Sequence, residues 1–525
     1  MSKKGIFSWL IISVFAASLF QGCKYDLGNA SWETDILAPL ATGNLGLRNI
    51  IPDSLLQNQP DGSLMFVYQK NLVGLPIDSL LRLPDTPVVN ALSIPFVYTV
   101  PPGASFPVSI PTSTKFNLKD AQVTFVQMKS GLIKMKITNT LPTKVFVDYG
   151  IPKAKKDGVA FFTQQIVEAN STTEVEFDMS GYAFDMKGQN GNSYNTVNST
   201  FAAKTDPNGP AVTLNANEFF LTITNTFFDL VPFYAKGYMG SQHTVIGPEE
   251  SPVEPLSKLI SGSLMTDSVK IGLEFRNGVG ADVKFTLFKL EGRNAYTGNT
   301  VPLNHTIIGN PINITRAQDW TTGSNPSVYN YNINYGNSNL QQFIENLPGF
   351  FNYYVDVSLN PMGNISAGND FIYYNSELAA NLKVELPLNF NAGNIAMMDT
   401  LDFNSSGDFL KNFKGGKLKV YIENGFPLEA ELQATLLDTF FQPLETLFGN
   451  GLIASAELGA NKVVNKKVNS LVTLPIAANK AENVKQAKHI AIKMRFNSAL
   501  PGELIKIYDD YRIKVNVVAD ITYEL

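Results

Sequence analysis

Lys417-Leu418-Lys419-Val420-Tyr421-Ile422-Glu423-Asn424-Gly425-Phe426-Pro427 decides the fold class. Leu418, Val420 and Ile422 recur with a period of two, as in a strand that buries one face. Asn424 closes the run, and Pro427 follows it. Ala430, Leu432 and Ala434 then resume the same period. An Asn amide can cap nearby backbone groups and tolerates left-handed conformations. A proline cannot donate to a ladder, so the chain must leave the sheet there. Strand, Asn corner and strand together describe a chain that turns or crosses between two sheets.

The pattern occurs twice more, at nearly equal intervals. Ile133, Met135 and Ile137 precede Asn139, and Val145, Val147 and Tyr149 follow it. Ile271, Leu273 and Phe275 precede Asn277, and Val283, Phe285 and Leu287 follow it. A second series of Asn-terminated segments lies between them: Phe219 to Asn225, Tyr354 to Asn360 and Ala491 to Asn497. Two series with nearly one period predict three tandem units. The expected class is all-β, with tandem antiparallel β-sandwiches of immunoglobulin-like build. Short helices are expected at Asn339 to Asn346 and at Lys480 to Lys488, and a last strand at Tyr511 to Tyr523.

The strand–Asn–x–(Leu/Phe)–Pro–strand pattern resembles the LEA14/WHy-like sandwich domain. Repeat two departs from it, with Gly278-Val279-Gly280 in place of a proline. The segments Trp32 to Leu40, Asp61 to Tyr68 and Leu80 to Asp85 resemble the N-terminal part of Bacteroidota outer-membrane lipoproteins. That resemblance implies an envelope location and sandwich architecture, and no catalytic residues.

The start of the chain carries an address. Lys3 and Lys4 precede an uncharged apolar stretch, residues 6–20, which is too short to span a bilayer. Leu19-Phe20-Gln21-Gly22-Cys23 follows and resembles a lipobox. Cys23 is the only cysteine of the chain, so no intramolecular disulfide can form. It is read as the lipidation site; the alternative is an ordinary secretory signal with an incidental cysteine. The expected division is a signal peptide (1–22), a lipid-anchored tether (23–31) and an N-terminal module with a Pro-rich arm (32–121). Three β-sandwich repeats follow (122–255, 256–400 and 401–525). The arm holds Pro84, Pro87, Pro95, Pro101, Pro102, Pro107 and Pro111, which favour extended, edge-like conformations. Lys24 and Asp26 leave both the periplasmic face of the outer membrane and the cell surface open.

The formal net charge of −5 gives no footprint for nucleic acid. His243, His305 and His489 lack neighbours at metal-ligand spacing. The chain has no G-x-S-x-G elbow, Walker loop or H-E-x-x-H, so the expectation is no enzyme, no metal and no cofactor. Asp402, Asn404, Ser406 and Asp408 are spaced like the start of a calcium loop. Phe413 stands where the bidentate Glu belongs, so a polar turn is the preferred reading. Trp320, Tyr329, Tyr331 and Tyr335 form a candidate glycan platform, with Asn330, Asn332 and Asn334 between the tyrosines. The competing reading puts the rings toward a core and the amides toward water.

The anchor, the repeats and the lack of chemical motifs point to a non-catalytic scaffold or accessory lipoprotein that binds another envelope protein. The alternative is a glycan-binding surface lipoprotein that assists polysaccharide uptake. Cys23→Ala should abolish lipidation. Metabolic labelling with a fatty-acid analogue checks this, and undiminished label in the variant would count against it.

Overall fold

The computed structural model describes residues 33–49, 51–75, 82–107, 110–254, 256–320, 323–402 and 413–524. The expected signal peptide, Cys23, the expected tether and residues 403–412 of the calcium-loop-like stretch lie outside them.

The described chain is all-β, with antiparallel sheets and a few short helices. Four early strands are β1 (Glu33–Gly46), β2 (Leu64–Leu75), β3 (Thr86–Leu92) and β4 (Ile110–Lys115). A first group follows: β5 (Gln122–Asn139), β6 (Val145–Lys156), β7 (Val159–Val167), β8 (Ser171–Asp178), β9 (Thr196–Thr205) and β10 (Leu221–Tyr238). A second comprises β11 (Gln242–Pro252), β12 (Lys270–Asn277), β13 (Val283–Asn294), β14 (Pro311–Ile314), β15 (Ser327–Ile333), β16 (Pro348–Leu359) and β17 (Leu378–Pro387). The last comprises β18 (Asn389–Asp402), β19 (Phe413–Asn424), β20 (Leu428–Leu437), β21 (Pro443–Phe448), β22 (Val468–Ile476), β23 (His489–Ser498) and β24 (Arg512–Glu524). The helices are α1 (Leu340–Glu345) and α2 (Ala481–Gln486), close to where the sequence places them.

The pairing repeats three times. Unit 1 has the layer β3-β10-β5-β8 and the layer β4-β9-β6-β7. Unit 2 has β2-β17-β12-β15 and β11-β16-β13-β14. Unit 3 has β1-β24-β19-β22 and β18-β23-β20-β21. The strand before each corner Asn lies in the first layer and the strand after it in the second. Unit 1 differs in one respect. Its short strand Ala183–Asp185 bonds to both β5 and β6, so its two layers join into a barrel-like sheet.

The period-two residues make the cores. Ile133, Met135 and Ile137 are buried with Val145, Val147 and Tyr149, and Ile271, Leu273 and Phe275 with Val283, Phe285 and Leu287. Phe275 meets Phe285 across the layers at 5.4 Å. Burying such side chains contributes about 1.5–3 kcal/mol each. Units 1 and 2 share one continuous core, while unit 3 has its own, around Val420, Ile422, Val472 and Ile521.

Each corner is held by one amide. Asn139 Nδ2 donates to the carbonyls of Thr143 (2.8 Å) and Glu168 (2.9 Å), and its Oδ1 accepts from the Leu141 N–H (3.0 Å). Asn277 does the same with Ala281 (2.8 Å), Thr315 (2.9 Å) and Val279 (2.9 Å). Asn424 does so with Leu428 (2.8 Å), Ala454 (2.9 Å) and Phe426 (2.9 Å). All three are buried, at 1%, 0% and 2% exposure. One side chain thus satisfies three backbone groups that the turn strips of ladder partners.

Corner two departs from the proline pattern for a steric reason. A Cβ at Gly280 would lie 2.1 Å from the Phe371 ring, and one at Gly278 2.9 Å from the Glu377 backbone. The Gly278 and Gly280 N–H groups donate to Glu377 O and Phe371 O, each at 2.8 Å. A proline at 280 would lose that bond and clash.

The expected N-terminal module (32–121) does not exist as a body. Its strands disperse in reverse order: β1 completes the first layer of unit 3, β2 that of unit 2 and β3 that of unit 1. The physical reason is edge satisfaction. Each first layer ends on a strand that needs one more backbone partner, and the early strands supply it. The Pro-rich arm is used within unit 1: Leu92, Ile94, Val100 and Phe106 are buried, and Pro87 and Pro111 sit in edge strands. The repeat boundaries shift as well, since β11 and β18 begin before residues 256 and 401 yet belong to the second layers of units 2 and 3.

The second asparagine series divides. Asn360 follows β16 and Asn497 lies near the end of β23, both in second layers. Asn225 lies inside β10, in a first layer, opposite Met135. The counterpart of β16 and β23 in unit 1 is β9. The two layers have the same period, so spacing alone could not separate them.

Asn277→Ala should cost about 3 kcal/mol, because it leaves several buried backbone groups without partners at about 1–3 kcal/mol each. Asn277→Asp should not rescue it, since a carboxylate cannot donate. Urea unfolding measures both; a loss below about 1 kcal/mol would show that the corner does not depend on the amide.

Candidate functional site

The proposed aromatic platform separates in the structure. Tyr329, Tyr331 and Ile333 stand opposite Phe275, Leu273 and Ile271 across the β15–β12 register. Tyr331 is half-buried, with its ring edge-on to Phe275 at 6.1 Å. Tyr335 is half-buried too, and its hydroxyl bonds to that of Thr266. Tyr329 is partly exposed at the outer strand. Tyr331 and Tyr335 therefore pack against the unit 2 core, while Asn330, Asn332 and Asn334 face water. Amphipathic strand physics produces this arrangement without any ligand.

Trp320 stands apart from them. It ends the first strand of a small hairpin, Gln318–Trp320 with Gly323–Asn325, and is 59% exposed. The hairpin is pinned from below. Tyr234 and Tyr373 donate their hydroxyls to the two oxygens of Asp319, at 2.7 and 2.8 Å, and the Tyr373 hydroxyl also lies 2.7 Å from Trp320 O. Beside the indole is an open groove of about 470 Å³ whose polar wall includes Arg276, Asn325, Asn375, Ser376 and Glu377. Arg276 Nε lies 3.8 Å from a Glu377 carboxylate oxygen. An exposed indole flanked by amides, a guanidinium and a carboxylate is suited to a polyhydroxylated ligand, with ring stacking on one side and planar hydrogen-bonding groups on the other. Sequence reasoning found Trp320 and missed Asp319, Tyr234, Tyr373, Arg276 and Glu377. Asp319 adjoins Trp320, but Tyr234, Tyr373, Arg276 and Glu377 come from distant segments that no local motif links.

The histidines are dispersed. His243 is exposed and bonds to Asp356. His305 is half-buried, and burial pushes its pKa down. His489 begins β23, stacks on Phe441 at 4.1 Å and bonds to Asp402 at 3.1 Å. Of the four oxygen-bearing residues of the calcium-like loop, Asp402 lies within the described residues; Asn404, Ser406 and Asp408 lie outside them. Among the described residues, no group of three or more His, Cys, Asp or Glu side chains is placed to hold a metal.

A concavity of about 1140 Å³ opens near the junction of units 1 and 2, between Asn117–Ala121, Asp229 and Met239–His243. The junction beside it is polar. Asp370 is fully buried; its Oδ2 accepts from Asn360 Nδ2 (2.7 Å) and the Met239 N–H (3.1 Å), and Arg316 lies 3.6 Å from its Oδ1. Asn360 Nδ2 also donates to Gly240 O at 3.1 Å. This marker residue therefore works as a clasp between units. By contrast, the Asn225 Oδ1 is buried and lacks a hydrogen-bond partner among the described residues.

The tyrosines under the hairpin give a pH test. Burial, aided by Asp319, pushes the Tyr373 hydroxyl up to about 12 from an ordinary 10, and Tyr234 is pushed up for the same reasons. The folded state keeps these groups protonated. Their contribution is complete below pH 10, where the unfolded chain is also protonated, and is lost as pH rises from 10 through about 12. Tyr373→Phe should lower stability at neutral pH by about 1–3 kcal/mol and show a shallower fall over that alkaline range. Denaturant titrations of both proteins measure this, and parallel falls would contradict it.

No protein-family model and no curated protein matches the chain. Among solved structures it is similar to a protein of Parabacteroides distasonis described as secreted, at 9% identity, with 93% of this chain and 99% of that one covered and a TM-score of 0.25. It is also similar to a human norovirus GI.7 particle, at 9% identity, with 74% and 93% covered and a TM-score of 0.13. The infectious bursal disease virus VP2 particle matches at 10% identity, with 91% and 86% covered and a TM-score of 0.11. Likenesses at this level carry no argument about what the chain does.

Proposed function

We propose that the protein is a non-catalytic lipoprotein of the Bacteroidota outer membrane, anchored through Cys23, that holds another envelope protein in place. The observation that carries this reading is the lacing of the units. Three copies of one asparagine corner have first layers completed by β1, β2 and β3, and β10 and β17 lead directly into β11 and β18 of the next unit. Such a body resists relative movement of its units and offers a long surface with several sheet edges. Held by one lipid at its start, it is concentrated at a membrane, where weak contacts gain from effective concentration.

A second reading is favoured by the Trp320 groove: a surface lipoprotein that binds a glycan during polysaccharide uptake. In-cell crosslinking followed by affinity purification from native envelopes separates the two. The scaffold reading expects a reproducible envelope protein that still copurifies with Trp320→Ala. Recovery of the protein alone, together with polysaccharide binding that Trp320→Ala abolishes, would replace the scaffold with the glycan reading.

A further inference from the structure

An apolar hairpin tip projects from unit 3. Strands β20 and β21 are joined by Asp438-Thr439-Phe440-Phe441-Gln442. Phe440 is 78% exposed and Phe441 58%, and among the described residues no large apolar side chain is more exposed than Phe440. The tip is held in shape. One Asp438 carboxylate oxygen accepts from the N–H groups of Phe440 (2.7 Å) and Gln442 (2.8 Å), and the Asp438 N–H donates to Gln442 O at 2.9 Å. Phe441 has a φ of 60°, in the left-handed region that favours Gly, Asn and Asp, and its ring stacks on His489 at 4.1 Å. The corresponding hairpin of unit 1 turns through Asp157 and Gly158, which meet water without penalty. In unit 3 a strained turn presents two bare rings instead, which marks a surface for an apolar partner.

The start of the chain identifies that partner. Glu33 begins β1 opposite Glu524 of β24, and Tyr523 stands opposite Phe413 at the start of β19. Strands β19 and β20 run from the Asn424 corner to the same pole, since the two layers of a sandwich keep their strands within about 30° of each other. Helix α2 ties the layers together there. It follows β22, and from it Asn483 Nδ2 bonds to Leu444 O at 3.1 Å, while Lys480 pairs with Glu445 at 2.7 Å, both on β21 next to the tip. The tip and Glu33 therefore share one pole, roughly 20 Å apart at ordinary strand and layer spacings. The chain between Cys23 and Glu33 reaches about 35 Å at most. The opposite pole, at the Asn424 corner, joins the rest of the molecule, because Phe426 and Tyr511 pack into the core shared by units 1 and 2. The rings thus lie at the free end of the body, within reach of the anchor.

We propose that the Phe440–Phe441 tip is a membrane-insertion loop, which dips into the hydrocarbon edge of a bilayer beside the lipid on Cys23. This inference rests on the lipid anchor in the reading above. The anchor confines the protein to a membrane, and under that confinement two rings contribute contacts that would be too weak from solution. Two attachments at one pole set the tilt of unit 3 and direct units 1 and 2 away from the lipid. The attraction is apolar and not ionic. The lysines near the tip are matched by acids, Lys480 with Glu445 and Lys485 with Glu482, and Asp402 stands beside His489, so no basic patch faces the headgroups.

Fluorescence quenching of the full-length mature protein in phosphatidylcholine vesicles tests this. Thr439→Cys carries an environment-sensitive fluorophore at the tip. Ala460→Cys carries it at the opposite pole, in the hairpin of Glu457–Leu458 with Val464–Lys466 beyond the Asn424 corner. The tip probe should shift to shorter wavelength and be quenched by spin-labelled acyl chains, in about 1 M salt as in dilute buffer, and the control probe should not. Phe440→Ser combined with Phe441→Gly should abolish both changes while the protein still floats with the vesicles. An unquenched tip probe, or quenching that survives the double substitution, would overturn the proposal. So would the same spectral shift without vesicles, which would assign the tip to a second copy or to residues 403–412 of the chain. Flotation and the mass of the N-terminal peptide report the Cys23 anchor separately. If Cys23 proves unmodified, the anchor reading fails. The same readout on a Cys23→Ser chain, tethered to nickel-chelating lipid through an N-terminal polyhistidine tag, then decides the tip alone.

Discussion

The structure depends on one side-chain amide used three times. Crossing from one layer to the other takes a strand end out of its ladder, and its N–H and C=O groups must find partners inside a dry core. Asn139, Asn277 and Asn424 each provide two donor bonds and one acceptor bond at that point. The corner sequences between differ (Leu141-Pro142, Val279-Gly280, Phe426-Pro427), yet the bonding does not change. The second accepting carbonyl always comes from the chain beyond the next strand or strands of the second layer, at Glu168, Thr315 or Ala454. The amide therefore locks the corner to its neighbouring strands as well as to itself. Aspartate could not replace it, because both carbonyls need a donor.

The local parts of this design were legible in the sequence, and the long-range parts were not. The period-two runs around Asn139, Asn277 and Asn424 named the central strands of each core, because alternation reports burial directly. The helices before Pro348 and after Ala478 were also readable. What pairs with β1, β2 and β3 was hidden. Ladder bonds are made by backbone, so the identity of Leu64 or Thr86 carries no record of a partner far along the chain. The misplacement of Asn225 has a related cause: a strand ending in Asn looks the same in either layer. At the candidate site, Trp320 was visible as a lone aromatic in a polar stretch. The tyrosine run Tyr329 to Tyr335 was equally visible, and there the plain reading of a core-facing strand fits the register.

Polar side chains also decide how the units meet. Asp370 is buried where unit 2 joins β10, and it is accommodated only because Asn360, the Met239 N–H and Arg316 converge on it. A buried carboxylate is costly without such partners. It therefore specifies one arrangement of the two units, while the shared apolar core supplies most of the adhesion.

The reverse order of the early strands has a consequence for how the chain is made. A polypeptide emerges from the N-terminus onward, yet Glu33 pairs with Glu524 and Gly46 with Arg512. The first strand to leave the ribosome is thus among the last able to dock, and β2 waits for β17 in the same way. Unit 1 can close soonest, since β3 meets β10 earliest, and completion then spreads toward the final residues. Such distant pairings make for slow folding and prolong the life of unpaired strands. Until the last strand exists, the first layers of units 1 and 2 can be whole while that of unit 3 cannot, so β1 waits unpaired beside two finished units.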